Sequence, residues 1–112
     1  MANAFETANI INLTQLVEYS ANGIISKRVI DRQTGTITLF SFDKEQKLSE
    51  HTAPFDALVQ VIEGKAEIII AGKKFLVNAG ESIILPAGII HAVNAVEKFK
   101  MLLTMIKEKA GN

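Results

Sequence analysis

The sequence predicts an all-β fold, a barrel or sandwich of short antiparallel strands. Three observations carry this. Apolar or alternating runs recur along the chain at regular spacing, most of the breaks between them hold glycine, and hardly any stretch has a helical period. At 112 residues the chain has room for one domain with a real core and none for a second. Many short strands, Gly-containing turns and little helix read as a closed β architecture.

In order, residues 1 to 11 bring Ile10-Ile11 after a polar lead, an arm or an edge strand laid on a neighbour. Asn12 is a plausible N-cap for a short helical turn over Leu13 to Glu18, with Leu13, Leu16 and Val17 on one side, and Asn22-Gly23 ends it. The division expected is residues 1–23 as arm and short helix, 24–107 as the barrel, and 108–112 as a polar tail.

Strands are expected over Ile24 to Ile30 and Thr34 to Phe42, where Thr36, Thr38 and Phe40 alternate with Ile37, Leu39 and Ser41. Asp43 to Ser49 is polar, a loop or the lead into a strand. Ala57 to Ile62 is apolar but for Gln60 and suits a strand buried on both faces. Glu63-Gly64, Gly72-Lys73 and Asn78-Ala79-Gly80 then turn the chain between Ala66 to Ala71, Lys74 to Val77 and Ile83 to Leu85. Phe99 to Lys107 is the last strand; Met101, Leu103 and Met105 share one face, Leu102, Thr104 and Ile106 the other.

Charge and composition remove several function classes. Twelve basic and twelve acidic residues cancel without a basic cluster, which leaves nucleic acid or an anionic membrane little to hold. With no cysteine there is no disulfide, thiolate site or cysteine nucleophile. The opening residues show neither the basic region nor the apolar run of an export signal, so the expected location is cytoplasmic. Hydrophobic residues make up 48% of the chain, high for so small a domain, and the excess is expected in a subunit interface of a homodimer. No phosphate-cradling loop, helical metal motif or Ser-His-Asp order is present. Lys65, Lys73, Lys74, Lys98 and Lys100 read as solvated, and Glu81 and Ser82 as caps of the Gly80 turn.

The stretch most informative about chemistry runs from Gly80 to Asn94. Ile83 to Leu85 stops at Pro86, which has no donor for a sheet ladder; Gly88 lets the chain reverse, and the next run opens on His91. His51 is the only other histidine, also at the mouth of a predicted strand. Two imidazoles facing one interior offer metal ligands, proton carriers or anchors for a small molecule.

These residues carry a family resemblance. Gly80, Pro86, Gly88 and His91 fit the second motif of the cupins, G-x(5)-P-x-G-x(2)-H-x(3)-N, with Ala95 at its final position and Asn94 one earlier. His51 and Gly64 fit the first, G-x(5)-H-x-H-x(3,4)-E-x(6)-G. The chain thus resembles a small single-domain cupin, and the resemblance implies a cupin-type antiparallel β-barrel, a jelly roll or double-stranded β-helix, with a short N-terminal helical turn. Its first motif is incomplete: Glu45 stands at the opening glycine, Ala53 at the second histidine and Ala57 at the glutamate.

Three readings of the site follow. The favoured one is a small molecule held in an apolar pocket, with His51 and His91 as polar anchors and Phe40, Val59, Val61, Ile84, Met101 and Leu103 as walls. The second is a metal-dependent dioxygenase or isomerase in which His51 and His91 hold a divalent transition metal (Zn, Fe, Ni or Mn), with water or substrate, or Gln46, Gln60 or Asp56, completing the shell. Asp56 neighbours the glutamate position, but a one-residue offset on a strand points it to the other face. The third is a structural or interaction module with a filled interior.

Overall fold

The structure is a computed structural model and describes residues 5–107. Nine strands follow one 3-10 turn: β1 Ile24–Arg32, β2 Gly35–Phe42, β3 Lys47–His51, β4 Ala57–Glu63, β5 Lys65–Ile70, β6 Lys73–Asn78, β7 Ser82–Leu85, β8 His91–Asn94 and β9 Phe99–Ile106. They form a five-stranded sheet, ordered β1-β2-β9-β4-β7, and a four-stranded sheet, ordered β3-β8-β5-β6. Every pairing is antiparallel. Apart from the β1–β2 and β5–β6 hairpins, each connection carries the chain from one sheet to the other, the winding of a double-stranded β-helix.

The strands lie where the periodicity and turns put them, with small shifts at their ends. β3 is the element least visible beforehand, because Lys47-Leu48-Ser49-Glu50-His51 is a polar edge strand with almost every side chain in solvent. β4 is not buried on both faces: Ala57, Val59 and Val61 are buried while Leu58, Gln60 and Ile62 are only half-covered.

Partners in register share a face, so the inner face of the large sheet can be read across its strands. Phe40 faces Met101, Phe42 faces Phe99 and Thr38 faces Leu103 between β2 and β9; Leu103 then faces Val59, and Val59 faces Ile83. Ile68 and Val93 answer from the small sheet. Phe42 and Phe99, both fully buried, stack with centroids 4.6 Å apart and planes 13° off parallel. They mark the closed end. The other end is ringed by the β3–β4 and β7–β8 connections, tied together by the Gly88 amide donating to the Ala53 carbonyl at 2.8 Å.

The N-terminal segment, expected from the sequence as a short helix closing one end of the barrel, differs in length and in place. Its helix is a single 3-10 turn, Leu13–Gln15, and Asn12 makes no side-chain cap to it. It lies across the outer face of the large sheet and does not plug an end of the barrel. Lys100 of β9, Lys27 of β1 and Ser41 of β2 donate to the carbonyls of Thr14, Leu16 and Glu18 respectively. Because those carbonyls take donors from the sheet, the segment has no reason to close further helical turns. Val17 is fully buried beneath it, as are Leu39 and Ser41 of the face it covers.

Lys100 is therefore buried, 7% exposed, and not part of a solvated face as the sequence suggested. Its ammonium lies 3.8 Å from a Glu63 carboxylate oxygen and 5.0 Å from the centroid of Tyr19, which also donates to Glu63 at 2.6 Å. Burial, then the hydrogen bond to Glu63 and its charge, push the Tyr19 phenol well above its ordinary value.

Candidate functional site

His51 ends β3 and His91 begins β8, and the two are register partners across neighbouring antiparallel strands. That pairing brings residues forty positions apart side by side at the open end. His91 shares the face of Val93, which points into the core, and is 6% exposed; His51, on the edge strand, is open to solvent. Their rings meet edge to face, centroids 4.3 Å apart and 71° between planes, with the two Nε2 atoms 3.0 Å from each other.

Each ring is also fixed from behind. His51 Nδ1 lies 2.8 Å from the carbonyl of Ser49, and His91 Nδ1 lies 3.3 Å from the carbonyl of Ile89, in both cases the residue two positions earlier. A proton count follows. Three contacts, Nδ1 to carbonyl, Nε2 to Nε2 and carbonyl to Nδ1, need three ring protons to be hydrogen bonds at once, whereas two neutral imidazoles carry two. The pair is one proton short, and the longest contact, at Ile89, is the weakest of the three.

Burial, then the nearby His51, hold His91 below the ordinary imidazole value, and its contact with the Ile89 carbonyl opposes them. A histidine whose folded pKa lies below its unfolded one keeps its full contribution to stability above about pH 6.5. That contribution is lost as pH falls from there through the depressed folded value. Thermal unfolding of the wild type should accordingly lose more on going from about pH 7.5 to 5.5 than unfolding of His91→Gln. Parallel losses in the two proteins would show that His91 is not the group responsible.

The other proposed site residues are placed as follows. Val59, Val61 and Met101 are sealed in the core cluster, at most 1% exposed, while Phe40 and Leu103 pack half-buried against it. Ile84 does not line the interior: it is the partner of Leu58 on the outer face and is 61% exposed. None of the clefts described is lined by either histidine. One of about 290 Å³ opens at the rim among Pro54, Phe55, Asp56, Ala87 and Ile106.

The supplementary ligands do not come together. Asp56 accepts the Ala87 amide at 2.8 Å, which anchors the β7–β8 turn, and Gln60 lies on the outer face opposite Leu102. Among the described residues no group of three or more His, Cys, Asp or Glu side chains is placed to hold a metal ion. Two imidazoles are fewer than the three or four protein ligands such an ion takes, and Ala53 and Ala57, at the other ligand positions of the motif read in the sequence, have no donor side chain to add.

What the sequence did not show are the carbonyls of Ser49 and Ile89, which orient the rings; backbone groups leave no compositional signal. One departure from the motif has a visible consequence. Glu45, where the family places glycine, sits at φ 74°, the left-handed region that glycine tolerates best.

Comparisons with known proteins agree with this fold. A conserved protein of unknown function from Streptococcus pyogenes shares 42% identity over 96% of this chain and 95% of its own, with a TM-score of 0.91. A cupin 2 conserved barrel domain protein from Leptotrichia buccalis shares 45% identity over 87% of this chain, which spans about half (47%) of that longer one, with a TM-score of 0.85. A cupin superfamily protein from Desulfitobacterium hafniense shares 26% identity over 92% of this chain and 94% of its own, with a TM-score of 0.86. Among curated proteins there is no match. No helix among the described residues is long and apolar enough to cross a membrane. The family model for the cupin domain matches residues 38–107, from the middle of β2 to the end of the barrel and including both histidines, and the chain belongs to that family.

Proposed function

We propose that this protein is a small-molecule-binding cupin whose ligand is a compact organic acid, seated at the open end of the barrel on the His51–His91 pair. The observation that carries the reading is the 3.0 Å approach of two Nε2 atoms whose Nδ1 atoms already face backbone carbonyls. A pair short of one proton takes one up from solvent, becomes cationic with its three ring protons held in the three internal contacts, and attracts the carboxylate by its charge. His51, open to solvent, is the ring the ligand reaches first.

The apolar part of such a ligand has aliphatic surface to meet. Ile70 is the register partner of His91, and Ile89 and Ile90, each about two-fifths exposed, stand immediately before it. Binding by this route takes up a proton, so it strengthens as pH falls from 8 toward 6, against the resistance that burial puts on protonating His91.

The test is a calorimetric titration with a short aliphatic carboxylate and, as control, its uncharged primary amide. The carboxylate should bind with proton uptake and more tightly at pH 6 than at pH 8, the amide should not bind, and His51→Ala should weaken the carboxylate at least about tenfold. Equal binding of acid and amide, or an unaffected His51→Ala, would overturn the reading.

A further inference from the structure

At the open end, one row of register partners crosses all four strands of the smaller sheet: His51 of β3, His91 of β8, Ile70 of β5 and Lys73 of β6. Cross-strand partners share a face, and the face is the inner one. Ile70, the partner of Lys73, and Phe75, two residues further along β6, both pack against the core cluster. Lys74 takes the opposite face with Ile69. A lysine beside a hairpin reads from sequence as one more solvated charge, and Lys73 is exposed. Its ammonium nevertheless lies 5.3 Å from the centroid of the Phe75 ring, on the side of the sheet that the histidines occupy.

The backbone holds this lysine in place. Ala71 and Gly72, the two residues between β5 and β6, have φ of 50° and 82°, as the two-residue type I′ turn requires, and that turn fixes the register of the hairpin. The Ala71 amide donates to the Ile90 carbonyl at 2.9 Å, which ties the hairpin to the segment leading into His91. Among the described residues the ion pairs are Arg28 with Asp31 and Lys100 with Glu63, so Lys73 has no carboxylate partner there. Asp56, on the β3–β4 connection at the same rim, is engaged by the Ala87 amide. Neighbouring strands lie about 4.8 Å apart, so the lysine stands two spacings, roughly 10 Å, from His91, with only the aliphatic Ile70 between them. Its flexible stem lets the ammonium close part of that distance.

We infer that the acid this site takes is a short aliphatic dicarboxylate, with one carboxylate at the His51–His91 pair, its methylenes over Ile70 and the other carboxylate at the Lys73 ammonium. The inference rests on the reading of the histidine pair as a carboxylate site. Along the row the groups run from a pair that becomes cationic, through hydrocarbon, to a cation, which is the charge complement of such a molecule from end to end. A monocarboxylate leaves Lys73 without a counter-charge. The lysine's single charge matches one further carboxylate.

Calorimetric titration of the full chain at about pH 6.5 and fixed ionic strength, with glutarate against butyrate, tests this. The wild type should bind glutarate at least about tenfold more tightly than butyrate. Lys73→Met, at an exposed position on the hairpin, should lower glutarate to about the affinity of butyrate and leave butyrate unchanged. Equal binding of the two acids to the wild type, or a Lys73→Met variant that keeps the preference or weakens both acids alike, would overturn the assignment of Lys73 and leave the histidine pair standing as a carboxylate site. Failure of both acids to bind the wild type would overturn the two together.

Discussion

Gly64→Ala should cost at least about 3 kcal/mol of stability and lower the melting temperature by about 12 °C or more. Gly64 sits at φ 78° in the turn between β4 and β5, and the Cβ of any other residue would stand 2.2 Å from the Lys98 carbonyl oxygen and 2.9 Å from the Phe99 Cα. Both are backbone atoms at the start of β9. They cannot withdraw without disturbing the Glu63–Lys100 pairing next to them. Gly72 provides the comparison: its φ is 82°, but nothing lies within 4 Å of where its Cβ would be. Gly72→Ala should cost only about 1 kcal/mol, the conformational part alone. Chemical denaturation of the two variants separates contact from conformation, and equal losses would refute the assignment of Gly64 to close packing. The glycine that ends the first cupin motif is thereby explained without reference to any ligand.

The second large effect lies beside it. Phe42→Ala should destabilise by about 3 to 5 kcal/mol, because Phe42 is fully enclosed and stacked on Phe99, and the ring's removal leaves a void between two sheets that cannot collapse together. A double-mutant cycle with Phe99→Ala should return a coupling of about 0.5 to 1.5 kcal/mol beyond the area lost. For a domain whose whole stability is on the order of 5 to 15 kcal/mol, either single variant approaches the limit of folding. A cost below about 1 kcal/mol would mean that the closed end is not where the fold is held.

These two predictions concern one end of the barrel, and the candidate site the other. The division is physical. Phe42, Phe99 and Gly64 fix the closed end by packing, while the open end is held by polar ties such as Asp56 to the Ala87 amide and Gly88 to the Ala53 carbonyl. Residues at the rim such as Ala53 can change without undoing the core, whereas Ala57 is itself packed in the core cluster.

Much of the fold was legible in the sequence, because turn chemistry and two-residue alternation are local signals. Gly72-Lys73 and Asn78-Ala79-Gly80 ended strands where they stand, and the faces of the last strand were read as they are. The failures came where a tertiary contact overrides a local one. Lys100 alternates onto the outer face as its position requires, yet nothing near it in sequence shows that residues 12–19 cover that face. The same cover accounts for the shortened helix, whose carbonyls are engaged by Lys27, Ser41 and Lys100. Ile84 was misread for a simpler reason: a run of three apolar residues does not say which of them faces inward, and register puts Ile83 there. Residues 108–112, expected as a polar tail, lie outside the described residues.

For the site, the motif brought His51 and His91 to one place, and their exchange of contacts followed once β3 paired with β8. The proton deficit did not follow from sequence, since it rests on two carbonyls and on a distance.

The most direct measurement of the central claim is a long-range ¹⁵N–¹H spectrum of the imidazole rings, recorded as a short aliphatic carboxylate is added near pH 7. Two neutral rings should satisfy the two shorter contacts and leave the one at Ile89 unmade; as the acid binds, one proton should enter the pair per ligand and the ring nitrogen signals of both histidines should move together toward the protonated range. Ring signals that stay fixed through saturation, or that shift in His51 alone with His91 unaffected, would contradict it.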